Sequence, residues 1–125
     1  DDFVKILKKH SSHLPRFVVH CFTGTQKQLD AYLELGAYIG LTGWICDKKR
    51  NQDLRASIKT IPLDRLMLET DCPYLLPKNL PHKPKKNINE PKFLPHIANE
   101  VSQLMNISIE TLREETSKNT EFFFN

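Results

Sequence analysis

Apolar positions along the chain follow two different spacings. Short apolar runs at residues 16–22, 38–42 and 66–70 predict three β-strands. The first run is of the kind that fits a strand buried on both faces. Segments with apolar residues at helical spacing precede, separate and follow these runs. This alternation predicts βα units that build a parallel sheet.

Residues that start and stop helices refine the first half of the chain. The spacing of apolar residues predicts helices over residues 1–11 and 51–59. Between them, Thr25 and Gln28 have the spacing of a capping box, which predicts a helix that begins after Thr25. Gly36 suits the position just beyond the end of that helix.

The second half of the chain predicts two further helices after a long connection. Residues 72–89 are rich in Pro, Lys and Asn, which is typical of a loop. Pro91 suits the first turn of the next helix. Ser108 is expected to cap a short final helix.

Composition limits the classes of protein to which the chain can belong. The 125 residues suit a single domain, and 39% hydrophobic with 26% charged residues is ordinary for a soluble globular protein. We expect no membrane span, since no apolar run approaches about 18 residues, and no secretory signal is visible. The net charge of +3 permits a polyanionic partner without requiring one. Lys83, Lys85 and Lys86 could touch a phosphate backbone, or their loop is simply solvated.

The cysteines indicate a reducing environment. Cys21, Cys46 and Cys72 are odd in number and widely spaced, so a disulfide framework is not expected. We therefore expect an intracellular protein, with cytoplasm and nucleus both open. Cys21 and Cys46 are interpreted as small buried apolar residues. A cysteine nucleophile paired with His20 is a weaker alternative.

Polar residues gather where the predicted strands end. These strand ends are residues 20–24, 42–44 and 69–74. In α/β folds, reactive groups lie at the carboxyl ends of the strands. The three segments are therefore expected to form the rim of an active site.

Three of these rim residues suit a divalent metal. Glu69 and Asp71 share one face if the strand continues through them, and His20 ends a neighbouring strand. Imidazole and carboxylate groups together suit zinc, manganese or magnesium. For His20, the alternative is a hydrogen-bonded histidine of the core. Glu69 either holds a metal ligand in place or forms an ion pair with an Arg or Lys.

Four other rim residues are candidates for substrate contacts. Thr23 and Gly24 precede a predicted helix, whose N-terminus favours an anion such as a phosphate. The same two residues are also an ordinary helix entry. Trp44 and Tyr74 could stack on a nucleic-acid base, or their rings pack against the protein.

Several segments together resemble the TatD family of metal-dependent deoxyribonucleases. The three segments that resemble it most are residues 20–24, 38–43 and 68–75, with sequences HCFTG, YIGLTG and LETDCPYL. Residues 89–91 and 116–124 resemble the C-terminal portion of the same family. The resemblance extends over essentially the whole chain.

The resemblance implies a fold and an activity. The fold is the C-terminal half of a TIM-type (β/α)₈ barrel of the metallo-dependent hydrolases, and residues 1–125 would form a single partial domain. The implied activity is hydrolysis of DNA phosphodiester bonds with one or two divalent cations, Mg, Mn or Zn. By motif match, His20 and Asp71 are metal ligands, and Asp71 is also catalytic. Glu69 occupies the glutamate of the same motif without a firm role.

The family's remaining ligand motifs do not occur in this sequence. They are an Asp-x-His-x-His motif, a glutamate on a middle strand and a further histidine, all upstream of the matched segments. A TIM barrel takes about 250 residues, so we expect the chain to be part of something longer. A fourth strand near residues 86–90 would be short and irregular.

Three functions follow as expectations. The first is a portion of a TatD-like nuclease whose isolated chain binds metal weakly and is inactive, with open sheet edges that promote self-association. The second is a non-catalytic truncated form that acts as an interaction module. The third is a metallohydrolase of the same superfamily that acts on another ester or an amide.

Overall fold

A computed structural model describes residues 2–125, which form a small parallel sheet with helices packed against it. The strands are β1 (Val18–Val19), β2 (Tyr38–Leu41) and β3 (Leu66–Leu68). The helices are α1 (Asp2–Lys9), α2 (Gln26–Glu34), α3 (Gln52–Ser57), α4 (Leu94–Met105) and α5 (Ile109–Phe124). Asp1, which the sequence places in the first helix, lies outside the described residues.

The sheet has the strand order of a barrel. Its order is β1-β2-β3, and each neighbouring pair is parallel, with Val18 opposite Tyr38 and Ile39 opposite Leu66. Helices α2 and α3 lie on the connections between successive strands. Strands that follow one another in both sequence and space are the arrangement of a (β/α)₈ barrel. The predicted half-barrel architecture is therefore confirmed.

The core lies between the sheet and the surrounding helices. The central strand β2 is buried along its whole length, because β1 and β3 cover its edges and its side chains Ile39 and Leu41 pack within the hydrophobic core. Aliphatic side chains from strands and helices fill the interior; the fully buried ones include Leu29, Ile39, Leu41, Ile58, Leu66, Ile97, Val101 and Leu112. Among residues 2–125, no helix is long and apolar enough to span a bilayer.

The first strand is shorter and more exposed than the sequence predicts. The sequence predicts a strand over residues 16–22 that is buried on both faces. In the structure only Val18–Val19 form β1, and both residues are half-buried. Cys21 adopts a left-handed backbone with φ of 48° and ends the strand. Backbone pairing resumes at Phe22, whose N–H donates to the Gly40 carbonyl over 2.9 Å. The prediction of burial on both faces was wrong, since the side chains of this edge strand are only partly covered.

The start of α2 follows the sequence signal closely. The Thr25 side chain accepts a hydrogen bond from the Gln28 backbone, and the Gln28 side chain accepts one from the Thr25 backbone. The predicted capping box is therefore confirmed. Gly36 beyond the helix end has φ of +80°, a conformation that glycine adopts without strain.

The final helix is longer than predicted. A short helix was expected after Ser108, whose side chain does accept from the Thr111 backbone, yet α5 has 16 residues. Two polar residues continue its buried face. Asn119 Nδ2 donates to the carbonyls of Leu63 and Leu66 at 2.7 and 2.8 Å, and Thr116 lies buried nearby in the helix. Because Thr116 and Asn119 are polar, they do not extend the apolar spacing that predicts a helix. The spacing therefore underestimates the length of α5.

The loop predicted over residues 72–89 is confirmed, and no strand forms within residues 86–90. Asn89 holds the loop's far end against its beginning. Its buried side chain donates to the carbonyls of Thr70 and Tyr74 at 2.6 and 2.7 Å. The backbone N–H of Asn89 donates to the carbonyl of Pro73. The loop therefore stays at the carboxyl end of β3.

Candidate functional site

One cluster of metal-ligating side chains lies at the carboxyl ends of β1 and β3. His20 Nδ1 is 2.9 Å from Glu69 Oε2, and His20 Nε2 is 2.9 Å from Asp71 Oδ1. One ligand atom from each of the three residues lies within 4.8 Å of the others. Within residues 2–125, these three residues are the group of His, Cys, Asp or Glu side chains close enough together to hold one metal ion. The structure thus brings together the three residues that the strand ends suggested.

Tight turns, rather than regular strand alternation, place these residues. Asp71 has φ of 58°, and Cys21, directly after His20, has φ of 48°. Residues other than glycine are uncommon in this left-handed region, and such residues concentrate at functional sites. Glu69 still continues the ladder, since its N–H donates to the Leu41 carbonyl over 2.8 Å. Glu69 and Asp71 lie together, as a shared strand face predicted, but the turn at Asp71 places the aspartate.

Glu69 orients the histidine. Its Oε2 accepts from the Cys21 backbone N–H at 3.0 Å and also contacts His20 Nδ1. The partners that the structure gives this carboxylate are therefore His20 and Cys21, not an Arg or Lys. A carboxylate on Nδ1 fixes the ring orientation and leaves Nε2 to face Asp71, as in many metal sites.

The carboxylates raise the pKa of His20 above its ordinary 6.5. The largest cause is the hydrogen bond to Glu69; burial opposes it, and the charges of Glu69 and Asp71 add to it. A raised pKa means that any stability from this interaction is present below pH 6.5 and is lost as the pH rises through the raised value. The side chain is 61% exposed, so the effect is a local one. This exposure also shows that the core-histidine interpretation was wrong.

The donor set fits a divalent cation. When Nδ1–H donates to Glu69, the neutral ring presents the Nε2 lone pair toward an Asp71 carboxylate oxygen. In the protonated ring, a hydrogen lies between these two atoms. A cation bound by both atoms would replace that proton, and imidazole with carboxylate suits zinc or manganese. Two or three protein donors leave further coordination positions for other ligands.

Gly40 on β2 makes room for the cluster, and sequence reasoning missed this. A Cβ at this position would overlap the carboxylate group of Glu69. The obstructing atoms are the end of a flexible side chain, which can move aside at small cost. The glycine therefore protects the position of the Glu69 carboxylate rather than the fold. In the sequence, a glycine within a strand indicates that another group approaches the backbone closely, but it does not show which residue supplies that group.

Gly40→Ala and Glu69→Gln are expected to have the same effect on His20. Each change removes or displaces the Glu69 carboxylate, so the pKa of His20 should fall toward its ordinary value while the fold persists. An NMR titration of the His20 ring protons without metal measures this. His96, whose ring contacts Asn79 instead, serves as the internal control. An unchanged His20 titration in both variants would show that Glu69 does not set the state of the ring.

The four candidate substrate residues are not gathered in one place. Thr23 and Gly24 share a hollow of about 190 Å³ with His20, although the capping box already uses the Thr25 N–H and the Gln28 N–H. Trp44 is half-buried and lines a separate cleft. Tyr74 is 75% exposed, so its ring is not packed against the protein. Their roles in substrate binding stay predictions.

The three free cysteines differ in environment. Cys46 is buried, as expected, and burial raises its pKa to about 12. Cys21 is only half-buried, and its Sγ lies 3.4 Å from Thr42 Oγ1. Burial also raises the pKa of Cys21. Both ring nitrogens of His20 face carboxylates, so the geometry gives no support to a Cys–His nucleophile.

Thiol labelling should follow this order of exposure. Cys72 is exposed, and we expect iodoacetamide at pH 7.5 to modify it at least about tenfold faster than Cys46, because only the thiolate reacts. Peptide mass spectrometry over a time course measures the three rates, and the chain unfolded in urea provides the control. Equal rates at Cys46 and Cys72 in the folded chain would contradict the packing of Cys46.

Comparison with known proteins places the whole chain in one family. The sequence profile described as TatD related DNase matches residues 1–125. A 3′-5′ ssDNA/RNA exonuclease TatD from Edwardsiella piscicida is 49% identical over 122 residues, which cover 98% of this chain and 47% of that protein. A protein of the same name from Rahnella sp. (strain Y9602) is 56% identical over 100 residues, or 80% of this chain and 38% of that protein.

Solved structures agree with the sequence comparison. The crystal structure of a TatD homolog from Escherichia coli k12 matches with a TM-score of 0.85 and 28% identity, over 96% of this chain and 44% of that one. A hydrolase of the TatD family from Entamoeba histolytica matches with a TM-score of 0.81 and 29% identity, over 95% and 45%. The chain spans about half the length of the curated relatives it matches. By its sequence and its fold, the chain belongs to the TatD related DNase family.

Proposed function

We propose that this chain supplies the late part of the metal centre of a TatD-type nuclease that hydrolyses phosphodiester bonds. The observation that carries the proposal is the contact of His20 with both Glu69 and Asp71 at the carboxyl ends of the strands. Family membership supports a divalent metal and a nucleic-acid substrate. The relatives' name, 3′-5′ ssDNA/RNA exonuclease, favours single strands such as DNA as the substrate. Residues 1–125 would act as one partial domain.

Each residue of the cluster has a distinct role in this proposal. His20 Nε2 and an Asp71 carboxylate oxygen would hold a divalent metal, with magnesium, manganese and zinc all compatible. Glu69 holds the imidazole in orientation through Nδ1. When bound, the metal lowers the pKa of a coordinated water and stabilises charge on the phosphoryl oxygens. Asp71 also accepts the proton of the attacking water at its carboxylate.

The isolated chain is proposed to bind metal weakly and to lack useful nuclease activity. Three donors gather in residues 2–125, and Glu69 is already engaged by His20 and the Cys21 backbone. Two remaining donors do not make a tight site. The unpaired edges of β1 and β3 favour self-association, which supports an interaction module as the alternative function. Free cysteines fit an intracellular setting, with cytoplasm as its compartment.

A chimera tests the proposal. In the Edwardsiella piscicida relative, this chain replaces the 122-residue segment that it matches. Release of nucleotides from labelled single-stranded DNA is measured with Mg²⁺ or Mn²⁺ for the chimera and for the isolated chain. We expect metal-dependent release by the chimera alone. Robust cleavage by the isolated chain would overturn its proposed inactivity, and a folded but inactive chimera would contradict the nuclease assignment.

Another ester or an amide is the remaining alternative for the substrate. One structural neighbour, with a TM-score of 0.75 and 27% identity, is titled an uncharacterized amidohydrolase from Saccharomyces cerevisiae. Turnover of nitrophenyl esters and anilides by the same chimera distinguishes this alternative. Faster turnover of these compounds than of DNA would favour it.

A further inference from the structure

A second cleft lies beside the metal-ligating cluster and takes no part in it. Its volume is about 460 Å³, within the range of roughly 300–1,000 Å³ that small-ligand pockets occupy. The loop after β2 supplies Trp44 and Arg50, and the loop after β3 supplies Lys78, Lys83 and Asn87. Both loops follow the carboxyl ends of their strands, which is the end that carries His20 and Asp71.

Direct contacts link the residues that line the cleft to the residues beside the cluster. Thr42 Oγ1 accepts from the Trp44 N–H at 3.3 Å and lies 3.4 Å from Cys21 Sγ, directly after His20. On the other loop, Leu75 lines the cleft four residues after Asp71. The two loops press together at Gly43, where a Cβ would overlap the Leu75 carbonyl oxygen. A strand of nucleic acid held at the cluster would therefore pass the cleft.

The charge of the cleft favours an anion. Arg50, Lys78 and Lys83 are exposed cations on its lining, against one carboxylate, Asp47. Asp47 is 8% exposed, and its Oδ1 accepts from the Lys49 N–H at 3.2 Å. Arg50 Nε stands 3.9 Å from Asp47 Oδ2, a long contact that leaves most of the guanidinium donors available. The balance is positive where a phosphate would enter.

The loop that carries Lys78 is fixed in place. The neighbouring Asn79 donates to Glu100 Oε2 at 2.8 Å, and its Oδ1 contacts His96 Nε2 at 2.7 Å. Glu100 is itself paired with Arg55. A cation on such an anchored segment loses less freedom on binding than one on a free loop. Lys78 is thereby presented to the cleft by the folded structure.

We propose that this cleft is a nucleotide subsite, in which a base stacks on Trp44 and the adjoining phosphate contacts Arg50, Lys78 and Lys83. It takes a nucleotide next to the scissile bond of a single-stranded substrate, because a base must leave a duplex stack to lie on an aromatic ring. The substrate class rests on the proposed nuclease function. The subsite itself rests on the cleft's aromatic and basic lining.

Trp44 provides a direct probe, since it is the single tryptophan of the chain. A short oligothymidylate is titrated into the 125-residue chain in EDTA, and both tryptophan fluorescence and the anisotropy of a labelled oligonucleotide are followed. We expect quenching together with an affinity that falls as salt rises. Lys78→Gln and Lys83→Gln should each lower the magnitude of the salt slope by about 0.7. Lys85→Gln, in the same loop but outside the cleft lining, is the matched control.

Trp44→Ala should weaken binding about 5- to 100-fold, the range for loss of one stacked base. The lysine variants test the same cleft without changing packed side chains. Binding without quenching, or an equal effect of Lys83→Gln and Lys85→Gln, would overturn the subsite. Absence of oligothymidylate binding would overturn it as well. Because these titrations contain EDTA, they do not depend on a metal centre, whereas nucleotide release by the chimera does, so failure of the subsite is distinguishable from failure of the nuclease proposal.

Discussion

Asp71→Asn in the chimera is expected to reduce nucleotide release about 10²- to 10⁴-fold, the range associated with loss of a positioned proton acceptor. The amide cannot take a proton from water, and it is a poorer metal ligand than a carboxylate. It also removes the ionic partner of His20 Nε2. The side chain keeps its size, so the αL turn and the fold should persist. Initial rates with Mn²⁺ over a range of substrate concentrations measure the effect.

Asp64→Asn is the matched control for this change. Asp64 is an exposed aspartate just before β3, at the opposite end of the strand from the cluster. We expect the Asp64→Asn chimera to release nucleotides at a rate within about twofold of the unmodified chimera, as is usual for a substitution at an exposed position. If Asp71→Asn retained a comparable rate, Asp71 would have no part in the chemistry. Circular dichroism of both variants confirms that folding is preserved.

Glu100→Ala is expected to lower the free energy of unfolding of the chain by about 3–5 kcal/mol, the usual cost of breaking a buried ion pair. Glu100 Oε1 lies 2.7 Å from Arg55 Nη1, and the two side chains are 11% and 18% exposed. Arg55 also donates to the Ile45 carbonyl, which would not compensate its charge. Asn79 loses its acceptor at the same time. Urea denaturation followed by tryptophan fluorescence measures the change.

An exposed ion pair provides the comparison for Glu100. Glu114 pairs with Lys118 one helical turn away on α5, at the surface. Glu114→Ala should leave the urea midpoint nearly unchanged, because water screens such pairs. A similar shift for both variants would mean that the Arg55–Glu100 pair is no more important than a surface contact. The loss at Glu100 should also disorder the segment around Lys78 and weaken oligothymidylate binding.

The parts of the fold that sequence predicts well are those that local chemistry determines. The capping box of Thr25 and Gln28 depends on residues three positions apart, so the spacing alone indicates it. The buried run at Tyr38–Leu41 likewise forms the central strand. The extent of β1 depends instead on its position at the sheet edge. The length of α5 depends on contacts such as those of Asn119, whose acceptors Leu63 and Leu66 lie before and at the start of β3, more than fifty residues away along the chain.

The candidate site divides in the same way. His20 and Asp71 stand at strand ends, and parallel strands bring those ends together, so their proximity was predictable. The role of Gly40 was not, because it depends on the register of β2 beside Glu69. The cleft at Trp44 is lined by two segments, residues 43–50 and 75–87, with 24 residues between them along the sequence. Only the folded chain shows that Lys78 and Lys83 line this cleft, whereas the nearby Lys85 and Lys86 do not.

Paramagnetic broadening by Mn²⁺ tests most directly whether His20 and Asp71 hold a metal. Mn²⁺ is added in small amounts to the isolated chain, and NMR follows the ring signals of its five histidines. We predict that the His20 signals broaden first and that Asp71→Asn removes this selectivity, even though the chain alone binds weakly. Broadening of His20 no earlier than that of the exposed His10 and His13, or equal broadening in the variant, would contradict a metal centre at this cluster.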